Sequence, residues 1–324
     1  MKRTYHVPMV QITQHEVPRG MFPDMTGVEH WMLDLPTTRL HVAFAGDPHA
    51  QPLILLHGFP QNWWEWREVI APLAQHYWVI VPDLRGAGWS DAPRQGYSAE
   101  HHARDIIALM DVMSIKRAAL VTHDYGALIG YHLTDTRAPR FTHHIAMSAP
   151  PPALTTHSRW LGETWRSWYQ IIMWLPGLGP ALLSGGKQRF ATHLLEAYSA
   201  YPEVWSATDR AMFLTPLKRA ANARAMSKVH RHLIHPETRR RMRNARTDQR
   251  VSVPTTLLVG ELDPLVGAMV RHGYTEGRDP NVSVKVVPDA SHYVVDDQSV
   301  SVATIITTTL STAQERTPDL ATTQ

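Results

Sequence analysis

The residues best equipped for chemistry stand at the ends of apolar runs. Leu120-Val121-Thr122-His123-Asp124-Tyr125-Gly126-Ala127 reads as a strand, a tight turn and a helix start. A sharp, strained turn of this kind lifts its central side chain above a sheet. That central residue is Asp124. A carboxylate attacking an ester would give an anhydride, but attacking an sp³ carbon it gives an ester. Asp124 is therefore a candidate displacing nucleophile; taken alone, it reads equally well as the N-cap of the next helix. Gly126 has the spacing such a turn needs. On the other side stands Thr122, so the turn must accept a side chain there.

Three further segments carry polar residues just past apolar runs. Leu53-Ile54-Leu55-Leu56 leads into His57-Gly58-Phe59-Pro60. Val259-Gly260-Glu261-Leu262-Asp263-Pro264 puts Asp263 after a late run, where in isolation it is a plain Asp-Pro turn. Pro288-Asp289-Ala290-Ser291-His292-Tyr293 puts His292 after the last one. Open α/β sheets gather their sites at the C-terminal ends of the strands. Asp124, Asp263 and His292 all fit that placement.

The elements that must position these residues follow from patterning. Strands are expected at Val28–Leu33, Leu40–Phe44, Leu53–Leu56, Trp78–Val81, Ala118–Thr122, His144–Met147, Thr255–Val259 and Val282–Val287. Helices are expected at Trp64–His76, Glu100–Met113, Gly126–Thr136 and Ser299–Leu310. This alternation predicts an α/β chain with a mostly parallel, doubly wound sheet. The last helix is Thr-rich and weak by propensity, and is assigned from its position. Between about Pro150 and Arg250 no strand is evident, which predicts a helical insertion. The expected organisation is an N-terminal extension over 1–27, a core over 28–150 and 251–312, a helical cap over 151–250 and a flexible tail over 313–324.

The chain has 324 residues, with 44% apolar and 19% charged. That supports a sizeable core and excludes a disordered chain. It has no cysteine, which excludes thiolate chemistry and Cys-ligated zinc. The 20 histidines include the adjacent pairs His101-His102 and His143-His144, which lack metal-ligand spacing. Ser167 to Gly186 is uncharged but holds Pro176, Pro180 and four glycines, and reads as a buried cap segment rather than a membrane span. No secretory signal pattern opens the sequence. A soluble, cytoplasmic protein without cofactor or membrane partner is expected; homodimerisation stays open.

With these residues in hand, the chain resembles the α/β-hydrolase fold and, within it, the epoxide hydrolase branch. The resemblance spans about residues 28–310. It rests on His57-Gly58-Phe59-Pro60, on Val81-Pro82-Asp83-Leu84-Arg85-Gly86-Ala87-Gly88-Trp89-Ser90-Asp91, on His123-Asp124-Tyr125-Gly126-Ala127 and on Gly260-Glu261-Leu262-Asp263-Pro264. The order nucleophile, acid, histidine (124, 263, 292) is that of this fold. The resemblance implies an eight-stranded, mostly parallel sheet flanked by helices, with a helical cap after strand 6. It implies an oxyanion hole from the N–H groups of Phe59 and Tyr125. It also implies that a Tyr pair from the cap polarises the epoxide. Trp168-Tyr169-Gln170, shortly before Pro176-Gly177, matches the first member, so Tyr169 is the expected donor; as a cap-core aromatic it would sit among Trp160, Trp165, Trp168 and Trp174. No Tyr occurs between Thr215 and Arg250. His230 is the leading candidate for the second donor, with Met226 and Arg224 at neighbouring alignments, Tyr198 and Tyr201 as earlier alternatives, and a plain surface residue as the other reading.

The implied reaction converts an apolar epoxide to a vicinal diol through a covalent Asp124 ester. Haloalkane dehalogenases share the Asp nucleophile, but usually have Trp after it and often Asn after His-Gly; here those positions hold Tyr125 and Phe59. Haloacetate dehalogenases place Arg where this chain has Tyr125 and Leu128. A cyclase or ligand-binding protein on the same scaffold is a further alternative. Lys218 to Arg250 carries eleven Lys or Arg and two acids. Without aromatic interleaving this run reads as a solvated cap face, not a nucleic-acid patch.

Overall fold

A computed structural model describes residues 14–17, 20–150, 167–244, 251–267, 270 and 279–315. Strands in the middle of a parallel sheet are covered on both faces, so their sequences show runs of apolar residues instead of alternation. β5 (Tyr77–Pro82), β6 (Ala118–His123) and β8 (Thr255–Gly260) are buried at every position. β4 (Gln51–Leu56) is buried over its last four residues. With β1 (Gln14–Glu16), β2 (Val28–Asp34), β3 (Arg39–Ala45), β7 (Phe141–Met147) and β9 (Val282–Val287) they make one sheet of order β1-β2-β3-β5-β4-β6-β7-β8-β9. Pairing from β5 through β9 is parallel, while β1, β2 and β3 form an antiparallel meander ending on β5.

The eight expected strands are all present. The ninth, β1, lies inside the stretch expected to be an extension. It pairs Gln14 with Leu33 and Glu16 with Trp31. Three residues without an apolar run give no sequence signal for a strand; backbone pairing to β2 makes it one. Phe22, from the same stretch, packs on His30, His41, Trp63 and Trp89.

α1 (Arg67–Leu73), α2 (Ala99–Val112) and α3 (Tyr125–Thr136) flank the first half of the sheet. The expected Trp64–His76 helix begins instead as a 3₁₀ turn over Trp63–Trp66, where the Asn62 side chain accepts the Trp64 N–H.

Between β7 and β8 the described residues are helical: α4 (Tyr169–Trp174), α5 (Leu178–Ser184), α6 (Arg189–Ala197), α7 (Ala207–Leu214) and α8 (Ala220–Val229). A π turn over His230–Ile234 then runs into α9 (His235–Asn244). Trp160 and Trp165 lie outside the described residues. These helices are tied to the sheet side by buried polar contacts. Asn62 Nδ2 donates to the Met212 carbonyl at 2.7 Å, and Trp64 Nε1 donates to Asp209 Oδ1 at 2.7 Å. The Arg67 guanidinium joins Asp209 (2.8 Å) to Asp296 (2.6 Å).

α10 (Val294–Asp297) and α11 (Ser299–Glu315) close the chain. α11 runs beyond the expected Leu310 and through the first residues of the expected tail. A poor helix former persists here because Val302, Ile306 and Leu310 are buried along one face; Thr304, Thr307, Thr308 and Thr312 each donate to the carbonyl four residues back.

Candidate active site

β6 ends at His123 and α3 begins at Tyr125, leaving one residue to turn the chain. Asp124 adopts φ 48° and ψ −120°, a strained conformation for a non-glycine residue. Two glycines make the turn physically feasible. A Cβ at Gly126 would stand 2.6 Å from the His57 carbonyl oxygen and 2.8 Å from that of Leu56. A Cβ at Gly58 would stand 2.6 Å from His123 Nδ1 and 2.8 Å from Asp124 Cβ. Thr122 fits where glycine is usual because its side chain finds a partner: Oγ1 lies 2.8 Å from His144 Nε2 on β7.

The Asp124 carboxylate meets groups from two other strand ends. The Phe59 N–H donates to Oδ2 at 3.0 Å. His292 Nε2 stands 3.8 Å from Oδ1. On its far side, His292 Nδ1 lies 3.2 Å from Asp263 Oδ2. Asp263 is buried, and its other oxygen accepts the N–H groups of Leu265 and Val266 at 2.7 and 2.9 Å. Burial pushes this carboxyl up, but His292 and those two N–H donors outweigh it and hold it below its ordinary value. An ionised Asp263 accepts Nδ1–H, which leaves the lone pair of a neutral His292 on Nε2, facing Asp124.

The cap side of Asp124 is aromatic. Tyr169 on α4 is buried, its ring 5.4 Å from Tyr198 and 6.0 Å from His230. Burial first, and then the Asp124 carboxylate, raise its phenol well above the ordinary value, so it stays a donor. The Tyr198 phenol is likewise pushed up by burial, to about 12, and its carbonyl accepts the His292 N–H at 3.3 Å. Tyr201 makes only a local contact to the Ser199 hydroxyl among those the described residues show.

His230 is not a surface residue. It is fully buried in the π turn, 4.9 Å edge-on from the Phe59 ring. Its Nδ1 lies 2.9 Å from the Met226 carbonyl oxygen, which can only accept. The ring therefore carries its proton on Nδ1, and Nε2, without a partner among the described residues, is an acceptor. Burial dominates and lowers its pKa to about 4. Neutral His230 cannot donate from Nε2; only the imidazolium can. The two sequence neighbours weighed with it differ: Met226 is buried, and Arg224 is exposed.

Two residues of the site are given no role by the sequence motifs, although His123 stands inside one. Glu65 and His123 are both about 1% exposed, and Oε1 and Nδ1 stand 3.1 Å apart as an ion pair that is not aligned as a hydrogen bond. Glu65 Oε2 accepts the Gly58 N–H at 2.9 Å, and His123 Nε2 donates to the His292 carbonyl at 2.8 Å. Burial opposes charge on His123, but the Glu65 carboxylate, with smaller help from Asp124 and the His292 carbonyl, raises it to about 9. An acid between tryptophans (Trp63-Trp64-Glu65-Trp66) just after a His-Gly turn is the signal that could have drawn notice to it. His57 itself is structural. Its Nε2 accepts the Leu84 N–H at 3.0 Å and its Nδ1 donates to the Gly58 carbonyl at 3.0 Å.

Among the described residues, no group of three His, Asp or Glu side chains is arranged to hold a metal, and no helix is long and apolar enough to cross a membrane.

This geometry is that of a hydrolase built on a strand-ended α/β sheet. The family model described as alpha/beta hydrolase fold matches residues 51–299, and the chain belongs to that family. Epoxide hydrolase 3 of Xenopus tropicalis is 29% identical over 293 residues, covering 83% of this chain and 73% of that protein. A haloalkane dehalogenase of Psychrobacter cryohalolentis is 32% identical over 167 residues, 50% of this chain and 54% of the other. The crystal structure of wild-type Cfl2 from Burkholderia cenocepacia matches with TM-score 0.76 at 23% identity, over 92% of this chain and 99% of that one.

Proposed function

We propose that the protein is an epoxide hydrolase that works through a covalent ester on Asp124. The observation that carries this reading is a carboxylate at the strained turn with a buried phenol, Tyr169, protonated at rest on its cap side. A serine there would point to acyl transfer; a carboxylate facing a phenol donor suits displacement at carbon with oxygen as the leaving group.

In the first step an Asp124 oxygen attacks one epoxide carbon. The C–O bond breaks, its electron pair goes to oxygen, and the alkoxide takes its proton from the Tyr169 hydroxyl, which solvent reprotonates. In the second step His292 Nε2 takes a proton from water, and the hydroxide oxygen bonds to Asp124 Cγ. The Phe59 N–H, with that of Tyr125 at the start of α3, would hold the tetrahedral oxyanion. Collapse breaks the bond between Cγ and the alkyl oxygen; the His292 imidazolium returns its proton to that oxygen, and the diol leaves. Asp263 keeps Nδ1–H in place throughout. At neutral pH Tyr169 is the working donor, and His230 adds a second only when protonated.

The two positions at which dehalogenases usually carry halide donors do not supply them here. Phe59 offers no side-chain N–H, and the Tyr125 ring is fully buried against His57 and His102.

A single turnover in H₂¹⁸O tests the reading. The label should enter the Asp124 carboxylate of the protein and not the first diol released. Label in the first diol would mean direct attack by water and would end the covalent proposal. Epoxide-derived mass on Asp124 in His292→Gln should be stable.

A further inference from the structure

The reaction sequence above leaves one costly feature unexplained. A buried ion pair, Glu65 with His123, lies directly behind the nucleophile; the His123 ring packs 5.2 Å from the His292 ring, but neither member hydrogen-bonds a reacting side chain. Burying two charges costs several kcal/mol per ion unless geometry and further hydrogen bonds compensate. Here each ion makes one further bond, and both bonds lead to the reaction centre. Glu65 Oε2 holds the Gly58 N–H, and the next N–H along the chain, that of Phe59, caps Asp124. His123 Nε2 holds the carbonyl of His292, the base. Gly58 has no Cβ, and any Cβ there would overlap His123. Three chain segments far apart in sequence thus converge on one pair.

We propose that Glu65 and His123 are positioning residues for the second half of the reaction, holding the oxyanion donor and the base against Asp124. This rests on the epoxide hydrolase reading. The two steps place different demands on the pair. Alkylation needs the Asp124 carboxylate and the Tyr169 hydroxyl, which comes from the cap and has no bond to either residue. Ester hydrolysis needs the Phe59 N–H and His292 Nε2, and the pair anchors the backbone of both. A misplacement of about 1 Å at such groups costs on the order of 10²-fold.

The experiment measures the two steps separately in Glu65→Gln, His123→Asn and the double variant, by rapid quench and intact mass with styrene oxide and a panel of alkyl epoxides. In each single variant alkylation should stay within about threefold of wild type. Hydrolysis should fall by about 10- to 100-fold, so that the Asp124 ester accumulates. The double variant should hydrolyse no slower than the worse single one, because removing both partners leaves no unpaired buried charge. Equal slowing of both steps, or unchanged hydrolysis, overturns the proposal. A measurement on the intact wild-type protein decides the matter should the variants not fold. The ¹⁵N signals of the His123 ring, correlated with the backbone of Thr122 to Asp124, should report both nitrogens protonated at pH 7, and a neutral ring overturns the pair. Failure of the underlying reading has a separate mark: no epoxide-derived mass on Asp124 in His292→Gln, with the protein folded.

Discussion

At the scale of single residues, protonation state decides what each group near Asp124 can contribute. Tyr169 stays protonated because burial and the Asp124 charge both resist its ionisation. Tyr169→Phe removes that donor and should slow the alkylation step by about 10²-fold, the usual loss when one preorganised donor is deleted. Hydrolysis of the preformed ester should be unchanged, and rapid-quench measurement of both steps checks this. His230 is chemically quieter than its position suggests. Its Nδ1 is committed to the Met226 carbonyl, so the neutral ring offers only a lone pair. The chemistry-bearing residues that end strands, Asp124, Asp263 and His292, were legible from sequence because strand ends announce themselves by apolar runs. Glu65, His123 and the tautomer of His230 were not. Their character comes from partners contributed by other segments, and no local pattern encodes those partners.

At the scale of elements, much of the sheet was readable because short, β-branched apolar runs bounded by turn residues suit strands covered on both faces. β1 and the length of α11 were not, since one depends on backbone pairing alone and the other on tertiary burial of Val302, Ile306 and Leu310 overriding weak propensity. The basic run from Lys218 to Arg250 reads as a solvated face, yet some of its cations reach inward. Arg219 and Asn222 bond the Gly88 carbonyl, and Arg240 joins Glu237 and Asp135, both at 2.9 Å. The joint between cap helix α7 and the sheet side is equally polar. Arg67 is buried between Asp209 and Asp296. Arg67→Met would leave two carboxylates facing each other without a cation. Breaking a buried pair in this way costs about 3–5 kcal/mol, so urea unfolding should show a loss of that order. A loss below 1 kcal/mol would mean that water already solvates the joint. Within α3, Gly126→Ala sets a methyl group 2.6 Å from a carbonyl oxygen at the end of β4. It should cost about 1–3 kcal/mol as an overpacked contact, with a parallel fall in turnover because the helix carries the turn with it.

At the scale of the whole molecule, buried histidines confine stability to a narrow pH range. His30, His102, His143 and His230 have their pKa values lowered by burial to about 3, 3, 4 and 4, from an ordinary 6.5. As pH falls below 6.5 the unfolded chain takes up protons at these sites and the folded protein does not, so stability drops toward pH 4. Asp296 opposes them: burial raises it to about 6 despite Arg67, so the folded state gains a proton there as pH falls from 6 toward 3.8. Asp297 is raised by burial too, and four histidines against these two carboxyls leave the net slope positive. Each unbalanced proton is worth about 1.4 kcal/mol per pH unit. On the alkaline side His123 acts in reverse. Raised to about 9, it holds a proton that the unfolded chain has released above 6.5, so its contribution fades as pH rises through 9. Melting temperature should therefore peak near pH 6.5 to 7 and fall on both sides, more steeply toward acid. The double variant Glu65→Gln, His123→Asn should flatten the alkaline limb and leave the acid limb intact, since it removes the raised histidine that titrates there. A melting temperature that stays level from pH 5 to 9 would show that these rings exchange protons freely with solvent. The alkaline limb matters most for function. The proton lost there belongs to the ring whose Nε2 holds the His292 carbonyl, so unfolding and the decline of ester hydrolysis should set in together as pH approaches 9.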